Sequence, residues 1–359
     1  MVPHQMKRHW RSLLLAAALL ALVLAVVAVG LLFSALRTPY KGFEGESVTV
    51  LIPPGSTTRQ IAEQLQKAGV LRDRRLGLVS LKLLHSGQTL KAGEYRFFGA
   101  RTPEQAIVSL VAGDVVTHRF TFPEGISADE VAAQFVAEGF GTQAEYVSLM
   151  AKPATFRGVP KGAPSLEGFL FPETYSVTRF MSLQEILGLM THEFRRRLPP
   201  GYEKKAEEAG LTLLQAVTLA SLVEKETSLA AERAVVAAVY RNRLTRGMLL
   251  QCDPTTIYAL RRLGRWRGYL TRSDLAVDES YNTYVRPGLP PGPICNPGLA
   301  TLQAALQPAK VDYLYFVADG DGGHRFARAY SDQEKNVALY RESRKASEEA
   351  EKQERAPQP

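Results

Sequence analysis

The chain has 359 residues, of which 45% are hydrophobic and 22% charged, with a formal net charge of +8. Cys252 and Cys295 are its only cysteines, too few for a disulfide scaffold, and no His/Cys cluster has zinc spacing, so we expect no metal and no other cofactor. No basic stripe with interleaved aromatic residues argues for nucleic acid as a partner.

An apolar segment near the amino terminus, residues 13–33, contains no charged residue and follows Lys7, Arg8 and Arg11. About 20 apolar residues are enough to cross a bilayer as one helix. The basic flank predicts a cytoplasmic tail at residues 1–12 and places the rest of the chain outside the inner membrane. A cleaved signal peptide is the alternative, but its apolar core would be only about 7 to 15 residues long.

Two segments of the outer part resemble each other at an offset of 70 residues, 52–70 and 122–140. The shared positions are Pro53, Gly55, Ala62, Gln64 and Gly69 in the first copy and Pro123, Gly125, Ala132, Gln134 and Gly139 in the second. Each copy predicts a strand, a glycine turn and a capped helix. Similar supersecondary units also look alike without being repeats, and two copies are too few for a solenoid.

The remaining pattern predicts an α+β protein with two outer domains. Between the copies we expect a helix at 74–84, a strand at 93–98 and a helix at 103–111, giving a small α/β module at 44–120. A mixed α/β domain with several helices and Gly/Pro-rich loops follows at 121–342. The charged end, 343–359, is expected to continue as a charged helix that frays into a disordered tail.

One predicted helix, 211–227, is apolar on almost every side yet carries Glu224 near its end. At about 100° per residue, Glu224 projects between Leu213 and Val217. Desolvation there would keep the acid protonated near neutral pH, as a general acid requires. Glu226 also has apolar neighbours at helical spacing, and an ordinary charged helix end is a third interpretation, so geometry leaves the choice open.

Five segments in order resemble the YceG-like family, the MltG endolytic murein transglycosylases of bacterial cell walls: SLEGFLFPETY (165–175), LASLVEKET (219–227), RNRLTRGMLLQCDPTTIY (241–258), YNTYVRPGLPPGPICNPG (281–298) and YLYFVADGDGGHRF (313–326). The resemblance implies a LysM-like module at 44–120 and a YceG-like catalytic domain at 121–342. It assigns the essential acid to Glu224 and not to Glu226.

The resemblance also implies an activity, cleavage of the β-1,4 bond between N-acetylmuramic acid and N-acetylglucosamine in nascent peptidoglycan strands, with 1,6-anhydro ends. Peptidoglycan synthases are hypothetical partners. Expected substrate-binding residues, all within the matching segments, are Glu167, Gln251, Asp253, Tyr281, Asn282 and Thr283. Capping or salt bridging is the alternative role for Glu167 and Asp253, and a turn is the alternative for Asn282.

Two other functions fit the same sequence, a glycan-binding scaffold that regulates synthases without cutting, and a hydrolytic muramidase. The chain departs from the family pattern at Cys252 and fits it loosely at Cys295. Since both lie in segments expected to line one cleft, we also consider a disulfide between them.

Overall fold

The computed structural model describes residues 4–354, except for the side chains of residues 4–9, 11, 12 and 346–354. The start of the predicted cytoplasmic tail and the last five residues of the predicted disordered tail therefore lie outside the described residues. The chain divides into two compact units, the first taking the chain up to His118 together with Ser176–Met181, and the second taking the remainder.

The first unit contains one long apolar helix and a small α/β module. Its elements are α1 (His4–Arg37), β1 (Ser47–Ile52), α2 (Thr58–Lys67), α3 (Arg74–Leu84), β2 (Gly93–Phe98) and α4 (Pro103–Ala112). Strands β1 and β2 pair antiparallel, with Ser47 opposite Phe98 and Ile52 opposite Gly93. Within the described residues, one helical segment is long and apolar enough to cross a membrane, Leu13–Arg37. The mixed α/β class is confirmed.

Two of the boundaries between the units fall inside strands, β3 (Thr117–Thr121) and β4 (Thr174–Thr178). These two strands pair with each other. The helices of the second unit are α5 (Ala128–Ala137), α6 (Gln143–Met150), α7 (Leu183–Arg197), α8 (Tyr202–Glu208), α9 (Leu213–Glu226), α10 (Arg233–Thr245), α11 (Asp253–Arg262), α12 (Arg272–Leu275), α13 (Leu299–Leu306) and α14 (Tyr330–Glu354). Strands β5 (Tyr315–Ala318) and β6 (His324–Ala327) form an antiparallel pair.

Both copies of the sequence repeat fold as a strand, a turn and a helix. Gly55 and Gly125 occupy equivalent turn positions with φ of +79° and +76°, a region that residues with a Cβ rarely adopt. Thr57 and Ser127 then cap the following helices through capping boxes. The predicted pattern is confirmed at both places.

Helix α9 lies in the core of the second unit. Every residue from Ala216 to Val223 is buried, which is what an apolar sequence on all sides of a helix dictates. Thr212 caps the helix with a capping box to Gln215. Four helices pack around it, α8, α10, α11 and α13. Its side chains therefore become partly exposed again only in the last turn, from Glu224 onward.

The carboxyl-terminal helix continues into the predicted tail. Helix α14 continues through Glu354, so residues 343–354 are helical and no element ends at the predicted tail boundary of 343. Unbroken helix-forming composition in this stretch, without Gly or Pro before residue 357, explains the extension.

Candidate active site

Glu224 lies in the last turn of α9 and is half-buried. Its Oε2 accepts a hydrogen bond of 2.9 Å from the backbone N–H of Gly298, the N-cap residue of α13. The start of a helix favours a negative charge, because its free N–H groups and its dipole point toward the ligand. The packing of α9 against α13 therefore fixes the position of this carboxylate.

A second carboxylate, Glu124, flanks the same glycine. It belongs to the turn after β3, and its carboxyl occupies the space that a Cβ on Gly298 would need. Arg233 Nη2 lies 3.7 Å from Glu124 Oε2. Burial and then the nearby charge of Glu224 raise the pKa of Glu124, while Arg233 opposes the shift. The carboxyl of Glu124 thus lies between the negative charge of Glu224 and the positive charge of Arg233.

Sequence reasoning missed Glu124 because it lies 100 residues before Glu224. One signal was available. In the first copy of the repeat the turn reads Pro53, Pro54, Gly55, and the second copy has Glu124 where the first has Pro54. An acid replacing proline in an otherwise similar turn indicates a role beyond the turn.

Glu226, the other acid on α9, lies in contrasting surroundings. Part of its side chain reaches the surface, but its Oε1 accepts a 2.6 Å hydrogen bond from Tyr240, which is buried, as is neighbouring Cys252. Burial raises the pKa of Glu226, and hydrogen bonds from Tyr240 and Cys252 oppose it. Both acids are partly exposed, and Glu226 differs from Glu224 by its hydrogen bond to the buried Tyr240. Protonation of Glu224 stays a prediction.

Glu167 is enclosed in the core with 3% of its surface exposed. Its Oε1 accepts a 2.9 Å bond from the N–H of Ala128, the first residue of α5, and Tyr258 donates to its Oε2 at 3.4 Å. Burial raises the pKa of Glu167 to about 8, although the Ala128 bond lowers it. The structure gives Glu167 the capping role that the sequence offered as the alternative.

Gln251 and Asp253 are both exposed and lie near the start of α11. Gln251 has φ of +48°, the one positive φ at a residue other than glycine within the described part of the chain. Such backbone strain concentrates at functional sites. Asp253 accepts a 2.5 Å bond from the Tyr284 hydroxyl, and Gln251 donates its backbone N–H to Thr283 at 3.1 Å.

Tyr281, Asn282 and Thr283 are buried, with exposures of 2%, 0% and 1%. The Asn282 amide donates to the carbonyls of Leu275 and Val277 at 3.0 and 2.8 Å, so both of its N–H groups are used. Thr283 also accepts hydrogen bonds from the backbone N–H groups of Gln251 and Cys252, so it supports the loop that carries Gln251. Their contact with substrate stays a prediction.

The two cysteines are free and buried, and the disulfide hypothesis is wrong. Cys295 Sγ lies 3.4 Å from the carbonyl oxygen of Ser221, within α9. Cys252 lies instead beside Tyr240 and Glu226, at the end of the same helix. The two segments approach α9 at different points along its length, which keeps the thiols apart.

A groove of about 410 Å³ lies in the second unit, next to the turn at Gly125. Its wall includes Gly125, whose turn lies against Glu224, since a Cβ there would be 3.5 Å from Glu224 Cγ. The groove mixes charged and aromatic side chains, Asp129, Glu130, Lys225, Tyr258, Arg261, Arg262 and Trp266. Flat rings with polar groups between them suit a polar, partly anionic chain such as a substituted sugar strand. Within the described residues, no group of three or more His, Cys, Asp or Glu side chains is placed to hold a metal.

Comparison with known protein families shows which family this chain belongs to. The YceG-like family matches residues 50–339, which include Glu224 and all five segments named above. The chain belongs to the YceG-like family. Glu124 and the groove also lie within the matched residues.

Two similar proteins from other bacteria are both named endolytic murein transglycosylase. An endolytic murein transglycosylase of Streptococcus pneumoniae serotype 2 is 32% identical over 324 residues, covering 81% of this chain and 58% of that protein. The endolytic murein transglycosylase of Bacillus subtilis is 29% identical over 310 residues, covering 82% of this chain and 85% of the relative. This YceG-like chain therefore spans little more than half the length of the pneumococcal protein.

A solved structure shares the YceG-like fold. The crystal structure of a yceG-like protein from Listeria monocytogenes superposes with a TM-score of 0.51 and 31% identity, covering 81% of this chain and 98% of that one. The fold is thus common to most of the outer part.

Proposed function

We propose that the protein is a membrane-anchored endolytic lytic transglycosylase of peptidoglycan. It cleaves the β-1,4 bond between N-acetylmuramic acid and N-acetylglucosamine and leaves a 1,6-anhydro end. The observation that carries this proposal is Glu224, a carboxyl that is held by the Gly298 N–H and lies against the Gly125 turn, which lines the groove. Relatives named endolytic murein transglycosylase support the substrate and the reaction.

In the proposed reaction Glu224 gives its proton to the glycosidic oxygen as the bond from that oxygen to the muramoyl C1 breaks. The resulting carboxylate then takes the proton of the muramoyl 6-hydroxyl, whose oxygen bonds to C1 and closes the anhydro ring. One residue serves as acid and then base, and water is not consumed. A two-carboxylate hydrolase would instead place a second acid to activate water or attack the sugar.

Neighbouring groups assist this chemistry. The Gly298 N–H stabilises the carboxylate form of Glu224 between the two proton transfers. Glu124 lies beside the same glycine, and burial together with the Glu224 charge raises its pKa. Gln251 and Asp253 contact the strand from exposed positions at the start of α11, and the buried Glu167, Tyr281, Asn282 and Thr283 hold the surrounding loops in place.

The location follows from the apolar helix. Leu13–Arg37 anchors the protein once in the inner membrane, with the amino terminus cytoplasmic and the catalytic domain on the periplasmic side. Tethering restricts cutting to strands near the membrane and raises their effective concentration. The enzyme would thus trim or terminate nascent strands, working beside peptidoglycan synthases.

The module at 44–120 is the LysM-like part of this proposal. A strand–helix–helix–strand order from β1 to β2, with its own core around Leu65, Tyr95 and Leu110, supports an independent glycan-binding module. Its affinity for peptidoglycan is measurable by sedimentation with insoluble sacculi.

Product analysis tests the reaction. Purified full-length protein in detergent is incubated with peptidoglycan, and new ends are identified by mass spectrometry. We expect 1,6-anhydro ends, and Glu224→Gln should lower their rate by about 10³-fold, within the range for a lost general acid. Glu226→Gln is the matched control, since an amide resembles the protonated acid that burial favours there.

Each other outcome contradicts the proposal in its own way. Reducing ends from the unaltered protein would indicate a hydrolytic muramidase, and no new ends would indicate a binding scaffold. Full activity of Glu224→Gln would move the acid to another residue.

A further inference from the structure

A pocket of about 220 Å³ lies in the first unit, where α1 ends against the α/β module. Its apolar side is formed by Leu31 and Ala35 of α1 together with Leu71 and Leu76. A hydrocarbon core is crossed by about 20 helical residues, which counted from Leu13 end at about residue 32. The pocket therefore lies where the lipid headgroups of the outer leaflet begin.

The opposite side of this pocket is basic. Arg72 and Arg101 line it together with Tyr40, whose ring lies 5.3 Å from the Arg72 guanidinium. Backbone hydrogen bonds of 2.9 and 3.0 Å join Tyr40 to Arg101. Because the Tyr40 ring also lies against Arg72, both arginines lie on the same rim of the pocket.

Both guanidinium groups are free to bind an anion. Arg101 Nε donates to the Phe98 carbonyl at 3.1 Å, and its Nη atoms have no carboxylate partner in the part of the chain that the structure describes. Arg72 is exposed and likewise forms no ion pair there. Planar guanidinium groups match the oxygens of phosphate in pairs.

We propose that this pocket binds the phosphate of an anionic phospholipid headgroup. The two arginines contact the phosphate oxygens, and the apolar side takes the glycerol and the first methylenes of the acyl chains, which continue along the exposed face of α1. Arg37 and Lys41, both exposed at the same end of the span, add to the attraction. The proposal rests on the membrane anchor and not on the glycan chemistry.

Lipid retention tests the site. Full-length protein in detergent is mixed with phosphatidylglycerol or phosphatidylcholine, and bound lipid is counted by native mass spectrometry. We expect phosphatidylglycerol to be retained preferentially. Arg72→Gln and Arg101→Gln should each weaken its binding about fivefold, the effect of roughly 1 kcal/mol per basic residue near anionic lipid. Arg75→Gln, an exposed arginine of α3 outside the pocket, should have no effect.

Three results would overturn the proposal: equal retention of both lipids, equal weakening by Arg75→Gln, or displacement of the lipid by millimolar inorganic phosphate, which would indicate a site for the free ion. Because Arg101 also binds the Phe98 carbonyl, Arg101→Lys serves as a second variant that keeps the charge and should retain most of the binding. Failure here leaves the anhydro-end assay unaffected, so the two proposals fail separately.

Discussion

Two acids two residues apart on one helix meet different environments in this protein. Glu224 faces the turn at Gly125 and accepts the Gly298 N–H, whereas Glu226 points toward Tyr240 in the interior. The helical wheel treats them alike, because both have apolar neighbours on α9. What distinguishes them is the surface that each one meets beyond the helix.

A third acid, Glu167, makes stability depend on pH. Its pKa in the folded protein is about 8 against 4.5 for the ordinary carboxyl, so folding favours the protonated form. The stabilising contribution is complete below about pH 4.5 and is lost as the pH rises through about 8. Stability should therefore fall across this window.

Glu167→Gln removes that dependence, because the amide keeps an acceptor for Ala128 and cannot ionise. We expect the variant to unfold at about the same temperature as the unaltered protein at pH 5. At pH 9 it should be more stable by on the order of a few kcal/mol. Thermal unfolding followed by circular dichroism measures the difference. A constant offset at both pH values would contradict the assigned shift.

At the scale of elements, the second copy of the repeat contributes to the site and the first has no such neighbour. Both glycine turns have the same backbone shape, yet a Cβ on Gly55 would meet nothing within 4 Å, whereas one on Gly125 would touch Glu224 and Lys225. The same supersecondary unit thus contacts the candidate acid in its second copy, whereas the equivalent turn of the first copy has no such contact.

Where α9 packs against α13, we expect activity to be sensitive to substitution of Gly298. Gly298 has an ordinary φ of −77°, so alanine causes no backbone strain, but its Cβ would displace the Glu124 carboxyl beside Glu224. We expect Gly298→Ala to lower the rate of anhydro-end formation at least about tenfold while unfolding changes little, since the displaced group ends a flexible side chain.

Gly188→Ala is the matched control for this change. Gly188 lies within α7 with nothing within 4 Å of an added Cβ, and alanine in a helix interior should stabilise by about 1 kcal/mol. Its activity should stay at the unaltered level. Equal activity of the two variants would remove Glu124 from the mechanism.

At the scale of the whole molecule, the apolar helix is compatible with a single membrane anchor. Its 25-residue candidate span, Leu13–Arg37, has side chains exposed throughout the most apolar window, which suits a lipid environment. We expect the full chain to remain with membranes after carbonate extraction at high pH. Replacing Leu19 and Leu24 with arginine should release it, since each buried charge costs about 2.5 to 3.5 kcal/mol. Retention of the double variant would contradict a spanning helix.

The sequence by itself determined the local elements and the family. Helix α3 and strand β2 have the predicted bounds, Arg74–Leu84 and Gly93–Phe98, because caps, periodicity and turn residues act within a few positions of the chain. The resemblance carried by the five ordered segments also favours Glu224 over Glu226 as the acid, a choice that periodicity alone left open and that stays a prediction.

Only the tertiary structure decided which groups meet. It placed Glu124 against Gly298, kept Cys252 and Cys295 apart, and buried Asn282. These outcomes depend on contacts between residues far apart in the chain, and burial depends on what packs across a helix face. Periodicity reports one element's pattern and carries no information about the element that covers it.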